Sequence, residues 1–560
     1  MNRFFHALDI TIEDQEFRVD DSHVLPQTAC VTFLDADNRR LHTGQYGVVD
    51  TDSVYERLAA GQPVNLNNCY IRNFSLATYR ERYGHSETTE LAFPPFSAAN
   101  ALFRNDQLLD FSLVAFPEGG LNFANTKFRG GGVSFYKCRF GDGDVDFTNA
   151  YFGKGQVNFQ FTDFGSGTVF FENAVFREGE VSFVNAHFGM GNVDFRNAWF
   201  GPDAVDFHFS RFGTGNVNFD KAVFKGEKVD FRKTEFGKGK VDFKRCDFGT
   251  ADLSFEEVEC GPGRINFNRS RFLGRNVAFT QAEFSTADVH FDNAILGQVR
   301  ISFLGANMSR LSLKSCQFND YLDLRVNRAS SIDLSNAIIR DIVDLKPGEA
   351  AVTLDSLQLQ GIRNLGRIYI DWRENRVAEL VGSQDDTTYA QKANQFRILK
   401  EDFHSAGQYD DEDRAYVAFR RFELRSNIER AVHRNPLNAI WVYPAAAFQH
   451  IVFDRVGRYA TDPVRVLLSM CIVYVLFSVA FIVIPKMVPD AAIVSSLGGS
   501  ADKLGPVATA FYHSAITFLT IGYGDFYPSG VIRWLSGIEG FVGLFLMSYF
   551  TVAFVRKILR

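Results

Sequence analysis

The chain has 560 residues, enough for roughly three or four units at the usual ~100–200 residues per domain. Lys and Arg number 59 against 66 Asp and Glu, a net charge of -7, so no overall basic field marks the chain for nucleic acid and no nucleic-acid partner is expected. Phe at 58 and Gly at 45, beside 15 Pro and 4 Trp, is a bias that signals internal repetition.

Residues 1–108 open with MNRFFHALDITIEDQEF, which lacks the sustained apolar run of a secretory leader, so export of this end is not expected. The stretches TACVTFLDADNRRL and VYERLAAGQPVNLNNCYIRNFSL suggest strands and an irregular first coil, suited to capping a repeat array and also able to hold a ligand. Seven Cys, at 30, 69, 138, 246, 260, 316 and 471, form no CxxC pair, which argues against a zinc cluster or a disulfide framework and predicts a reduced, intracellular soluble part.

From Leu109 the pattern is aliphatic-x-Phe-x-x-small-x-Phe followed by a Gly-containing corner. Its first Phe recurs every 12 residues at 111, 123, 135, 147, 159, 171, 183, 195, 207, 219, 231, 243, 255, 267, 279, 291 and 303. A second aromatic runs from 128 to 248 at the same spacing, with Cys260, Leu296 and Met308 in its place later. Short alternations of apolar and polar residues predict extended pieces with one face inward, and corners such as Gly153-Lys154-Gly155 are expected to supply the positive φ of a tight bend. Stacking such pieces coil on coil makes a solenoid. How many units close one turn is not fixed by the periodicity.

Read as paired five-residue units plus a corner, residues 109–360 resemble the pentapeptide-repeat family. The resemblance implies a right-handed β-helix in which two twelves make one coil, hence about eight coils and a rod on the order of 40 Å. Cys138, Cys246 and Cys316 fall on the small inward position, where a thiol fills space more simply than it binds metal. Asp146, Asp194, Asp206, Asp230 and Asp242 are expected to face outward on a solvated surface rather than to hold calcium. Some family members mimic DNA with an acidic surface; over 121–308 the count is 23 acidic to 22 basic residues, which removes the required field. The array reads instead as a spacer, an oligomer scaffold, or a sensor for a cytoplasmic ligand or protein.

Residues 361–437 read as a helical linker: a helix capped by Asp386, bearing Ala393, Phe396, Leu399 and Phe403 and ended by Gly407, then a second from about Asp411 carrying Ala415, Phe419 and Phe422. Residues 438–463 begin with NAIWVYPAAAFQHIVF, aromatic and too short to cross a bilayer, and are expected to lie along its surface.

Residues 464–560 change character. Val466–Ile484 has no charge over 19 residues, and a second apolar span runs from about Val531 to Val555. Arg455, Arg458 and Arg465 precede the first and Arg556, Lys557 and Arg560 follow the second, against Lys486 and Lys503 in the connection, so the positive-inside rule predicts a multi-pass protein of the inner or plasma membrane with both termini cytoplasmic. Between the spans, Pro506 opens a short helix that ends at TIGYGD.

This segment resembles the selectivity filter of two-transmembrane potassium channels, matching at Thr520, Ile521, Gly522, Tyr523, Gly524, Asp525 and Pro528. The resemblance implies a homotetramer in which K+ is held at Thr520, Ile521, Gly522 and Tyr523 by backbone carbonyls and the Thr520 hydroxyl. Tyr523 would pack behind the filter, with Asp525, Thr517 and Pro528 as support. Leu519 and Ile516 depart from the family, where Thr or Ser and Glu also occur, which implies fewer hydrogen bonds behind the filter. Gly540 and Gly543 lie near the family's inner-helix hinge, and close packing on the pore helix explains them equally well. Glu539, the lone acid of its span, calls for a pore-helix partner, and His513 reads as a packing group before a proton sensor.

With the chain ending at Arg560, force on the gate is expected from the N-terminal side. No GxGxxG, GxxxxGK, zinc or nucleophile-elbow pattern stands in its required context, so no enzyme, no catalytic residue and no cofactor beyond the permeant K+ is expected. A membrane-tethered scaffold with a weakly conducting pore is the rival reading.

Overall fold

A computed structural model describes residues 5–20, 23–284, 286–347, 353–496 and 504–559; Lys503 and Arg560, read above as flanking charges, lie outside them. The chain divides into two compact units, residues 1–384 and 385–560.

In the first unit the repeats wind into a parallel β-solenoid whose strand partners lie 24 residues apart. Val133 pairs with Val157 and Val157 with Val181 on one face, and Val145 with Val169 and Val169 with Val193 on another. Two twelve-residue units therefore close one coil. The second aromatics of alternate units build two further faces, one running Phe128, Phe152, Phe176, Phe200 and Phe224 and the other Phe188, Phe212 and Phe236. The longest sheet has 13 strands, more than the eight coils expected, because Val64–Asn65 and Phe96–Ser97 already join it ahead of residue 109 and Asn307–Ser312, Arg328–Asp333 and Thr353–Gln358 extend it at the other end. Past Phe303 the coil shortens, and Ile301 pairs with Leu322, 21 residues on.

Four stacked Phe columns, two from the first Phe and two from the second aromatic, fill the interior. Phe183 stacks on Phe207 with centroids 4.7 Å apart and planes 2° off parallel, while Phe195 meets Phe207 edge to face at 5.8 Å and 88°. That stacking distance equals the ~4.8 Å between strands, so one ring per coil leaves no gap and adds favourable aromatic geometry to the burial. The small inward position does more than fill space. The thiols of Cys138 and Cys246 donate to the Phe111 and Phe219 carbonyls of the preceding coil, both at 2.9 Å, as the hydroxyls of Ser210 and Thr234 do to Phe183 and Phe207.

Two expectations are corrected. The left-handed bend falls mostly on the residue two after the first Phe, including Asn149, Phe161, Lys221 and Arg245, with φ between 55° and 61°; at the corners Gly155 does take a positive φ, 101°, but Gly213 and Gly215 do not. Many corner glycines are needed instead for close approach: a Cβ on Gly215 would lie 1.9 Å from the Gly191 carbonyl oxygen one coil away. Nor is the Asp row uniformly solvated. Asp230 is only 1% exposed, taking both the backbone N–H and the guanidinium of Arg232, and Asp194 is similarly buried against Arg196.

The N-terminal edge carries an antiparallel cap, Ala7–Glu13 on Thr28–Leu34 on Arg40–Val49, the last of which pairs in parallel with Cys69–Arg72 of the first coils. Pairing the outermost strands this way covers an edge that would otherwise invite other chains. Helices α1 (Thr51–Ala59) and α2 (Leu76–Tyr83) interrupt these coils, and α3 (Val377–Gly382) buries Val377, Leu380 and Val381 at the other end.

The second unit is helical. α4 (Tyr389–Ser405) and α5 (Tyr409–Arg434) form the hairpin, with Phe396 stacked on Phe422 at 5.4 Å. The N-cap of α4 is Thr388, not Asp386: its hydroxyl and the Gln391 side chain close a capping box. α6 (Ala439–Gln449) runs through Pro444 into a π-helical turn, His450–Arg455. Then follow α7 (Pro463–Met487), α8 (Pro506–Phe518) and α9 (Ile532–Ile558), packed on one another.

Candidate functional site

α7 and α9 are long and apolar enough to cross a bilayer, and most of their surface is uncovered. Leu468, Ile472 and Leu476 on α7 and Trp534 and Phe541 on α9 are 59–80% exposed. A core helix of a soluble protein of the same composition would bury these side chains, so the exposed apolar faces read as lipid- or subunit-facing.

α8 is wedged between the two. Tyr474 of α7 donates from its hydroxyl to the Phe511 carbonyl at 3.1 Å. On the α9 side, Ser514 donates to Glu539 Oε1 at 2.5 Å and His513 Nε2 lies 3.0 Å from the Ser536 hydroxyl; all four side chains are buried. The lone acid of the second span thus meets a hydroxyl of α8, and the imidazole is packed away from solvent. Gly543 takes the end of α8 against its backbone, where a Cβ would sit 2.0 Å from the Phe518 carbonyl oxygen. At Gly540 the nearest such atom, the Thr517 carbonyl oxygen, is 3.8 Å away, and α9 is helical through both.

The TIGYGD segment follows α8 as irregular backbone. Thr520 N–H donates to the Thr517 carbonyl, and Ile521 and Gly522 N–H both donate to that of Ile516, closing the helix end. φ is positive at alternate residues, 57° at Thr520, 57° at Gly522 and 81° at Gly524. Glycine at 522 and 524 holds this conformation without the Cβ penalty. Thr520 to Gly524 are exposed, with Ile521 at 48% and Tyr523 at 70%, so the surface on which Tyr523 was expected to pack is not supplied by its own chain.

Past the segment, Asp525 accepts from the Tyr512 hydroxyl of α8 at 2.7 Å and its carbonyl accepts from Ser496. Pro528 lies in Phe526–Ser529, paired antiparallel with Ala492–Ser495, and its carbonyl accepts from Arg533 at the start of α9. Sequence reasoning did not single out Tyr512, Tyr474 or Ser496; a phenolic hydroxyl within a largely apolar helix was the available signal for the first two.

Residues 469–560 match the family described as Ion channel, so the second unit carries an ion-channel domain that takes in α7 from Ser469 onward, the short helix, the TIGYGD segment and α9. Protein LctB of Bacillus caldotenax is 27% identical over 116 residues, covering 21% of this chain and 81% of that protein. No solved structure matches.

Proposed function

We propose that the protein is a potassium-selective channel, conducting passively through a pore formed by four copies, with Thr520, Ile521, Gly522, Tyr523 and Gly524 as its filter. The observation that carries this reading is the alternating backbone of that segment at the end of a short helix held between two membrane-capable helices. When φ changes sign residue by residue, successive carbonyls turn to one side, and rings of them from several chains replace an ion's hydration shell. Irregular backbone at membrane depth is tolerated only when covered by protein or lining water, and here one chain leaves it bare, which favours assembly around it. Tyr512 bracing Asp525, and Gly543 seating the end of α8, would hold the filter's two ends. The charge bias at the span ends supports cytoplasmic termini, with the solenoid on the inner side of the membrane as the part proposed to act on the pore.

The test is ion flux through the full-length protein in liposomes. Potassium should pass and sodium should not, and Gly522→Asp, which puts a carboxylate at a left-handed position, should abolish the flux. Equal sodium passage, or flux indifferent to Gly522→Asp, would overturn the reading in favour of a tethered scaffold.

A further inference from the structure

Within the second unit, the C-terminal turn of α9 is gripped by the first turns of α5. Arg556 lies 3.0 Å from Asp413, and its guanidinium sits 4.6 Å over the Tyr416 ring. Lys557 reaches both Asp410 at 2.8 Å and Asp413 at 3.3 Å. The grip is partly sheltered, with the Asp413 side chain 10% and that of Arg556 24% exposed. Two turns further along, about 12 Å at 1.5 Å per residue, α5 makes a second grip. Arg421 binds Asp454 through two nitrogens at 2.9 and 2.8 Å, and Asp454 is 2% exposed. Asp454 belongs to the elbow that leads into α7, and the same elbow is tied to α9 by Tyr549, whose hydroxyl donates to the Phe453 carbonyl and accepts from Ala460 N–H.

We propose that α5 is a gating strut that fixes the C-terminal end of the pore-lining helix relative to the elbow, the Asp410/Asp413–Arg556/Lys557 pairs being its releasable latch. The inference rests on α9 lining the pore, as proposed above. Arg421–Asp454 is the firmer anchor, because removing Arg421 strands the buried Asp454 carboxylate. The latch is released from its outer pair inward, since the Lys557 and Asp410 side chains are 37% and 79% exposed while Arg556 and Asp413 are more sheltered. A displacement of the α4–α5 hairpin reaches α9 through that latch, and the elbow gives it a fixed point to work against.

The experiment is a charge-swap cycle in the full-length protein. Asp413→Arg and Arg556→Asp should each shift the ratio of open to closed times by at least about fivefold, and the double swap should return it toward wild type. Single-channel conductance and ion preference should not change in any of the three. Additive shifts in the double variant, or no shift in either single, would overturn the latch. Hydrogen exchange supplies a reading that needs no current: amides of 549–558 should exchange faster in each single variant and recover in the double. A current that is present but unselective defeats the potassium reading and leaves this one standing; selective current with an indifferent swap does the reverse.

Discussion

Lys127 is the clearest case of a charge placed at a cost. Its ammonium faces the rings of Phe33 and Tyr46 at 5.4 and 6.0 Å and donates to the Asn125 carbonyl at 3.3 Å. The ring faces favour the cation, but burial outweighs them and pushes the pKa down from 10.5 to about 8. Between those two values the unfolded chain binds more protons than the folded one, so stability rises with pH through that window and the penalty is largest below it. Lys127→Met, which keeps the stem and drops the charge, should therefore raise the unfolding temperature at pH 7. The gain should shrink from about pH 8 and vanish above about pH 10.5, checked by thermal unfolding at a series of pH values.

At the scale of the coil, the corner glycines set the axial spacing. Gly191, Gly215 and Gly239 stack, and a Cβ on Gly215 or Gly239 would lie 1.9 or 1.8 Å from the carbonyl oxygen of the one before. Gly215→Ala must push two coils apart and should cost about 1–3 kcal/mol, as overpacking does. Lys221→Gly, at a left-handed position of φ 61°, should be near neutral, since relief of strain offsets the extra freedom of the unfolded chain. Thermal unfolding of the two variants in parallel separates the effects. The contrast also explains what the sequence could reveal. The Phe columns were legible because burial demands the same residue at every turn, and the TIGYGD segment because its alternating backbone favours glycine at 522 and 524. The left-handed position was hidden, because Asn, Lys, Arg, Glu and even Phe161 all occupy it. Thr388 was passed over for Asp386, although Thr388 and Gln391 stood at capping-box spacing. The contacts Arg421–Asp454 and Arg556–Asp413 join residues 33 and 143 apart and follow no period, so only folding brings them together.

At the scale of the whole molecule, the two units divide the labour along the chain. Every residue proposed to touch the ion, both spans and both grips of α5 lie in residues 385–560, and the ion-channel match begins at residue 469. The solenoid contributes none of them. Its coils pair with their neighbours in sequence and are filled by stacked rings, as in a linear repeat array. Deleting residues 1–384 should then leave the preference for potassium over sodium as it is in the full chain. If the solenoid is the source of force on the hairpin, the same deletion should change the fraction of time the pore is open. Recordings of the truncated and full-length proteins in the same bilayer measure both quantities at once. A lost preference would mean that the solenoid is needed to assemble the filter; preserved preference with unaltered opening would leave α5 gripping α9 with nothing upstream to move it.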